Sequence, residues 1–229
     1  MNAMYTLVLL SGGTGSRMHN AVPKQYMLLA GKPVIMHILD RVDQIERISE
    51  VVVVCADDYV NSIRLMLQQY GVQKKVRFAP AGKTRQESVK NGLEMVQTES
   101  VVIHEAARPF VKAEDFERLL DEESPNVMYG QSVPFTVVCG HEYVEGLLNR
   151  SELVNVQLPH KFELSLLRKA HERAAAEGRE FTEDASMLHY YFPEVKIRIC
   201  EGMDYDIKLT TRMDMLVGER IYDEIFRRR

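Results

Sequence analysis

Tyr5–Leu10 (YTLVLL) runs directly into Ser11–Met18 (SGGTGSRM). The six-residue apolar run is typical of a buried parallel strand, and its carboxyl end opens into a glycine-rich turn. Ligands of open α/β sheets bind at that end of the strands. Because glycine lets backbone N–H groups approach phosphate oxygens closely, this stretch predicts a parallel sheet whose first strand ends in a phosphate-binding loop.

Two cations, Arg17 and Lys24, accompany the glycine turn. Two familiar loops are excluded by spacing, because the third glycine of a dinucleotide fingerprint would fall on Met18 and no glycine-lysine-serine/threonine run is present. A simple turn requires neither cation, whereas both are the usual partners of a polyanion. We therefore interpret the loop as one that grips a triphosphate.

Strand-like and helix-like segments alternate after this loop. Strands are predicted at Val51–Cys55, Val76–Ala79, Val101–His104 and Val127–Pro134, and helices at Pro33–Ile45, Asp58–Tyr70 and Gln86–Val96. This alternation predicts an α/β fold with a doubly wound, mostly parallel sheet. We expect one domain over residues 1–229.

Residues 137–158 interrupt the alternation, because they contain Gly140 and Gly146, have little helical periodicity and end before Pro159. We predict an extended β-arm here. An excursion of this length either covers a site or exchanges with a second subunit, and a plain surface hairpin is the alternative.

Composition restricts the classes of partner. The chain has 29 Lys and Arg against 33 Asp and Glu, and its basic run is confined to Arg227–Arg229, so we expect no nucleic-acid partner. No apolar run approaches the ~20 residues that span a bilayer, so we expect no membrane association. Three widely spaced cysteines fit reduced thiols in the cytoplasm better than a disulfide or zinc framework.

Two further strand ends carry polar groups. Gly82 leads into a helix start whose first amides could hold an anion or a base edge. His104–Phe110 (HEAARPF) places a carboxylate and a guanidinium at another strand end, where Glu105 could ligate Mg²⁺ or a hydroxyl. A helix cap and a surface ion pair are the structural alternatives for these two segments.

Taken together, these segments resemble the cytidylyltransferases that activate 2-C-methyl-D-erythritol 4-phosphate and the sister enzymes that activate ribitol 5-phosphate. The likeness spans nearly the whole chain. It is carried by the glycine loop with Arg17 and Lys24, residues 82–91, residues 104–109, Asn149 with Arg150, residues 182–186 and residues 206–210. The resemblance implies a Rossmann-like nucleotidyltransferase fold, CTP as substrate, Mg²⁺ as cofactor and a homodimer formed through the arm.

The resemblance also implies roles for single residues. The implied CTP-binding residues are Ser11, Gly12, Gly13, Gly15, Gly82, Arg85, Ser88 and Ala106. The implied catalytic residues are Arg17, Lys24, Thr136, Arg150 and Lys208, with Arg150 donated across the dimer. The implied acceptor-binding residues are Glu105, Arg108 and Thr182, and Glu105 is also the metal candidate, although Mg²⁺ would be held mostly by CTP phosphates.

Departures from the family pattern lie on the acceptor side. Glu105 and Glu183 stand where the family usually has aspartate, and His160 stands where it usually has glutamine. Phe135 and Val138 replace the acidic and basic companions of a threonine. The signature of the methylerythritol branch, with Ala106, Ala107, Ala185 and Ser186, is nevertheless the more fully preserved, so the resemblance implies 2-C-methyl-D-erythritol 4-phosphate as the acceptor, with ribitol 5-phosphate or another polyol phosphate as the alternative. A catalytically silent nucleotide-binding protein is the alternative from a different class.

Overall fold

The structure is a computed structural model that describes residues 3–13 and 22–227. Its strands are β1 (Tyr5–Leu10), β2 (Leu28–Leu29), β3 (Lys32–Pro33), β4 (Ile48–Cys55), β5 (Lys75–Pro80), β6 (Ser100–Glu105), β7 (Val127–Ser132), β8 (Val138–Gly140), β9 (Val144–Leu147), β10 (Val154–Glu163) and β11 (Arg198–Glu201). Its helices are α1 (Val34–Asp43), α2 (Asp57–Tyr70), α3 (Arg85–Glu94), α4 (Ala113–Asp121), α5 (Leu164–Glu177), α6 (Asp184–Tyr191) and α7 (Arg212–Tyr222).

Seven strands form the central sheet in the order β11-β7-β10-β6-β1-β4-β5. Neighbouring strands are parallel except at β10, which is antiparallel to both β6 and β7. The prediction of a doubly wound, mostly parallel sheet is therefore confirmed. The register pairs Leu10 with Val54 on one side and with Glu105 on the other, so the end of β6 lies beside the start of the glycine loop.

Helices cover both faces of this sheet because β1 is apolar on both sides. Leu7 and Leu9 belong to one buried cluster with residues of α1, while Val8 belongs to a second cluster with Val89 of α3. Each of these side chains is fully buried, and burying one Val or Leu stabilises a fold by about 1.5–3 kcal/mol. The two layers fix the position of the strand end that precedes the loop.

Residues 138–147 form an exposed hairpin of β8 and β9. The final five residues of the predicted arm, 154–158, belong instead to β10, whose residues Val154–Gln157 pair with β7. The hairpin with its flanking residues 133–153 is called the arm below. In the part of the chain that the structure describes, no helix combines the length and apolar character needed to cross a membrane.

Candidate active site

A cavity of about 380 Å³ lies at the carboxyl ends of β1 and β6. It is lined by Leu10, Ser11, Gly12, Gly13, Lys24, Gln25, Gly82, Lys83, Thr84, Arg85, Ser88, Glu105, Ala107, Lys208 and Thr210. This set combines backbone from two glycine turns with four cations and one carboxylate. A wider groove beside α4 is lined by five acidic residues, so its charge disfavours a phosphorylated ligand.

The described part of the glycine loop is held tightly against the sheet. Gln25 donates hydrogen bonds from its side-chain amide to the carbonyls of Ser11, at 2.6 Å, and Gly13, at 2.9 Å. A Cβ at Gly12 would lie only 2.5 Å from Cβ of Ala81, so glycine is required by close approach. Gln25 directly follows Lys24 in the sequence, and the sequence analysis assigned it no role. Gly15 and Arg17 lie outside the described residues.

The second glycine turn, at Gly82, is held by hydrogen bonds of the Thr84 and Ser88 hydroxyl groups. Thr84 caps α3 by accepting from the Glu87 amide at 3.1 Å. The Ser88 hydroxyl accepts from the Gly82 amide at 3.0 Å and donates to the Thr84 carbonyl at 2.9 Å. The helix α3 therefore begins at the cavity wall, which Thr84, Arg85 and Ser88 help to line.

One ionic network forms a wall of the cavity. Glu105 Oε1 lies 3.1 Å from Arg85 Nε, and Glu105 Oε2 lies 2.5 Å from Lys208 Nζ. Burial alone would raise the pKa of Glu105, but Lys208 and then Arg85 lower it to about 2. Glu105 is therefore ionised at neutral pH, and it holds two of the cavity's cations in place.

The network continues away from the cavity. Arg85 Nη2 lies 2.8 Å from Oδ2 of Asp184, the first residue of α6. Although burial opposes ionisation, Arg85 keeps the pKa of Asp184 well below its usual range. Arg85 is thus held from both sides by carboxylates. Nothing in the sequence pattern marked Asp184 as its partner, because the two residues are far apart along the chain.

Arg108 lies behind this wall and does not line the cavity. Its Nη1 lies 3.0 Å from Oδ2 of the buried Asp206. Burial raises the pKa of Asp206 to about 7, against the opposing effect of Arg108. Asp206 is a third residue, after Gln25 and Asp184, to which the sequence analysis assigned no role, since nothing in this short polar segment indicates that the side chain is buried.

The remaining predicted residues are placed elsewhere. Ala106 is buried and donates its amide to the Leu10 carbonyl at 2.9 Å, while its neighbour Ala107 lines the cavity. Thr136 and Arg150 lie exposed on the arm, and Arg150 Nη1 donates to the Pro134 carbonyl at 2.8 Å. Thr182 is exposed just before α6. These three side chains are not brought to the cavity within one chain.

Comparison with known proteins gives a consistent result. The family described as 2-C-methyl-D-erythritol 4-phosphate cytidylyltransferase matches residues 5–224. The protein of that name from Geobacillus thermodenitrificans is 37% identical over 224 residues, which cover 95% of this chain and 96% of the relative. The chloroplastic protein of that name from rice is 36% identical over 96% of this chain and 74% of its own length.

Solved structures agree at the level of the fold. The crystal structure of 4-diphosphocytidyl-2C-methyl-D-erythritol synthase from Anaerococcus prevotii superposes with a TM-score of 0.84, covers 96% of both chains and is 24% identical. The central sheet and its helices are therefore those of an established nucleotidyltransferase fold. From the match over nearly its full length, the chain belongs to the 2-C-methyl-D-erythritol 4-phosphate cytidylyltransferase family.

Proposed function

We propose that this protein transfers the cytidylyl group of CTP to the phosphate of 2-C-methyl-D-erythritol 4-phosphate and releases pyrophosphate. One observation carries the proposal: Lys24 and Lys208, from opposite ends of the chain, line the same cavity as the backbone of Gly12 and Gly13. Cations and glycine backbone converging on one space are what a triphosphate requires. The relatives' names supply the nucleotide and the acceptor.

The chemistry needs positive charge rather than a base. A phosphate oxygen of the acceptor attacks the α-phosphorus of CTP, and the bond from that phosphorus to the oxygen bridging the α- and β-phosphates breaks. The attacking phosphate is largely ionised near neutral pH, so no side chain has to remove a proton. Lys24, Lys208 and the predicted Arg17 orient the triphosphate and neutralise the charge that develops on the leaving pyrophosphate.

We propose Mg²⁺ as the cofactor, with Glu105 as its carboxylate. The donor set fits: Mg²⁺ is commonly held by one or two carboxylates together with substrate phosphates, and Glu105 is ionised at the cavity wall. When bound, the ion would neutralise phosphate charge. Both Glu105 oxygens already face cations, so Glu105 would contribute few of the ligands and the CTP phosphates would provide most of them.

We further propose a homodimer formed through the arm. The arm exposes large apolar side chains at Phe135, Tyr143, Val144 and Leu147, each more than two-thirds accessible in the single chain. An apolar surface of this kind is typical of a subunit contact. A partner's arm would bring Thr136 and Arg150 to the acceptor side, which the single chain leaves without them.

The unpaired Cys55, Cys139 and Cys200 are consistent with the cytoplasm as the location.

The test is pyrophosphate release from CTP and Mg²⁺ with 2-C-methyl-D-erythritol 4-phosphate, alongside ribitol 5-phosphate at the same concentration. Turnover with the first acceptor only is expected. Turnover with ribitol 5-phosphate only would overturn the proposed acceptor, and CTP binding without turnover on either would favour the silent binder. ATP in place of CTP is the control for base choice.

A further inference from the structure

Asp184, which pairs with Arg85 on the side away from the cavity, belongs to a chain of contacts at the start of α6. Asp184 opens α6, and the position of its side chain depends on how the first turn of that helix is fixed. Glu183 caps the helix, accepting from the amides of Ala185 at 2.8 Å and Ser186 at 2.9 Å. The start of α6 thus depends on the orientation of Glu183.

His160 of β10 contacts this cap. Its side chain is fully buried, with Nδ1 lying 3.0 Å from Glu183 Oε1 and Nε2 lying 2.8 Å from the Gln157 carbonyl. Both ring nitrogens therefore face acceptor oxygens. His160 links the antiparallel strand of the sheet to the cap of α6, and Asp184 links that helix to Arg85.

His160, Glu183 and Asp184 also lie close enough together to raise the question of a metal ion. Three of the four carboxylate oxygens already accept hydrogen bonds. Glu183 Oε1 and Oε2 accept helix amides, and Asp184 Oδ2 accepts from Arg85. A cation here would have to displace the helix cap or Arg85, so we interpret the cluster as an ion-pair network.

We propose that His160 and Glu183 are positioning residues for the nucleotide, acting through Asp184 on Arg85. The link from β10 to the cavity wall runs through two side-chain contacts, His160 with Glu183 and Asp184 with Arg85, which are joined by the helix cap at the start of α6. The close contact of His160 with Glu183 Oε1 orients the Glu183 cap, the cap holds the first turn of α6, and that turn aims Asp184 at Arg85. This inference rests on the proposed CTP site.

The experiment is a double-mutant cycle read by calorimetric binding of CTP with Mg²⁺. His160→Leu is made in the natural chain and in an Arg85→Gln background. In the natural chain we expect CTP affinity to fall about tenfold. In the Arg85→Gln background, His160→Leu should change CTP affinity less than about twofold, because the residue through which it acts is already absent.

Three further variants serve as an alternative, a rescue and a control for this experiment. Glu183→Gln is the alternative variant in case His160→Leu does not fold. It should lower CTP affinity in the natural chain and have little effect in the Arg85→Gln background. His160→Gln retains a side-chain donor and should recover most of the lost affinity. His37→Leu is the matched control: it also removes a buried imidazole whose Nε2 contacts a backbone carbonyl, that of Leu29 at 2.9 Å, and it should leave CTP affinity unchanged while lowering the melting temperature.

An equal loss of affinity from His160→Leu in both backgrounds, or no loss in either, would overturn the inference, since a merely structural role is independent of Arg85. Failure of the proposed function has a different signature. In that case the unsubstituted protein does not bind CTP, or binds it without turnover on the proposed acceptor. Direct binding needs no acceptor, so the two failures are separated.

Discussion

Lys208 Nζ lies 2.5 Å from Glu105 Oε2, and this ion pair joins the C-terminal segment of the chain to the end of the central strand β6. Lys208 is more than one-third exposed to the cavity, whereas Glu105 is buried. The carboxylate therefore holds the ammonium group at the wall of the cavity that we propose as the CTP site.

Lys208→Met is expected to lower kcat/KM roughly 100-fold. This corresponds to a loss of about 3 kcal/mol of transition-state stabilisation, as judged from other donors that stabilise transition-state charge. Most of the loss should fall on kcat, because leaving-group charge is greatest in the transition state. Pyrophosphate release at saturating CTP measures this. Lys169→Met, which removes an exposed lysine on α5, is the control, and equal losses in the two variants would argue against a specific role.

The Glu105 network predicts a loss of stability in acid. The folded-state pKa of Glu105 is lowered from 4.5 to about 2, so its contribution is complete above pH 4.5 and is lost as the pH falls toward 2. Between pH 7 and pH 3 the free energy of unfolding should fall less in Glu105→Gln than in the natural chain. The expected difference is on the order of 2 kcal/mol. Urea unfolding at both pH values measures it, and parallel pH profiles would contradict the assignment.

Asp206 predicts a loss of stability as the pH rises, the opposite of the pH dependence expected from Glu105. Its folded-state pKa is raised from 3.8 to about 7, so the folded chain retains a proton that the unfolded chain releases. The natural protein should therefore lose stability between about pH 4 and pH 7, and Asp206→Asn should lose less. The asparagine retains an oxygen that can accept from Arg108. Melting temperatures at pH 5 and pH 8 test this, and a change of equal size in both proteins would refute it.

Gly12 and Gly13 are neighbours with different steric demands. A Cβ at Gly12 would lie 2.5 Å from Ala81 Cβ, whereas a Cβ at Gly13 would meet nothing within 4 Å. Gly12→Ala should cost about 1–3 kcal/mol of unfolding free energy through overpacking, and Gly13→Ala should cost little. Adding Ala81→Gly should restore the Gly12→Ala variant. Equal destabilisation by the two alanines, measured by urea unfolding, would mean that the close approach is relieved in another way.

The arm provides a test of the dimer. Leu147, paired with Val138 across the hairpin, is 82% exposed in the single chain. Leu147→Asp should shift a dimer toward monomer and reduce turnover, because a charge would be buried in the contact. Light scattering after size exclusion measures the mass. Leu65→Asp, on an exposed leucine of α2, is the control. A monomeric natural protein would contradict the proposed dimer directly.

Strand-end reasoning from the sequence located the cavity. It placed the loop after β1 and Glu105 after β6, and the parallel register makes Leu10 and Glu105 direct neighbours. It did not find β10, because the register of that strand is broken between Gln157 and His160 and the alternation of its side chains is disturbed there. The contact of His160 with Glu183 could not be predicted from the sequence for the same reason, since it depends on β10, which the pattern did not reveal.

Lys208 reaches the cavity because its neighbour Leu209 is fixed to the body of the fold, donating its amide to the Ala107 carbonyl at 2.8 Å and packing beside Phe110. The proposed nucleotide pocket therefore combines the loop that follows β1 with a lysine from a segment far along the chain. During translation, the first strand and its loop leave the ribosome long before that lysine does. A nascent chain that ends before Lys208 lacks that cation, so the proposed pocket is complete only after this segment has been synthesised and has packed against the body of the fold.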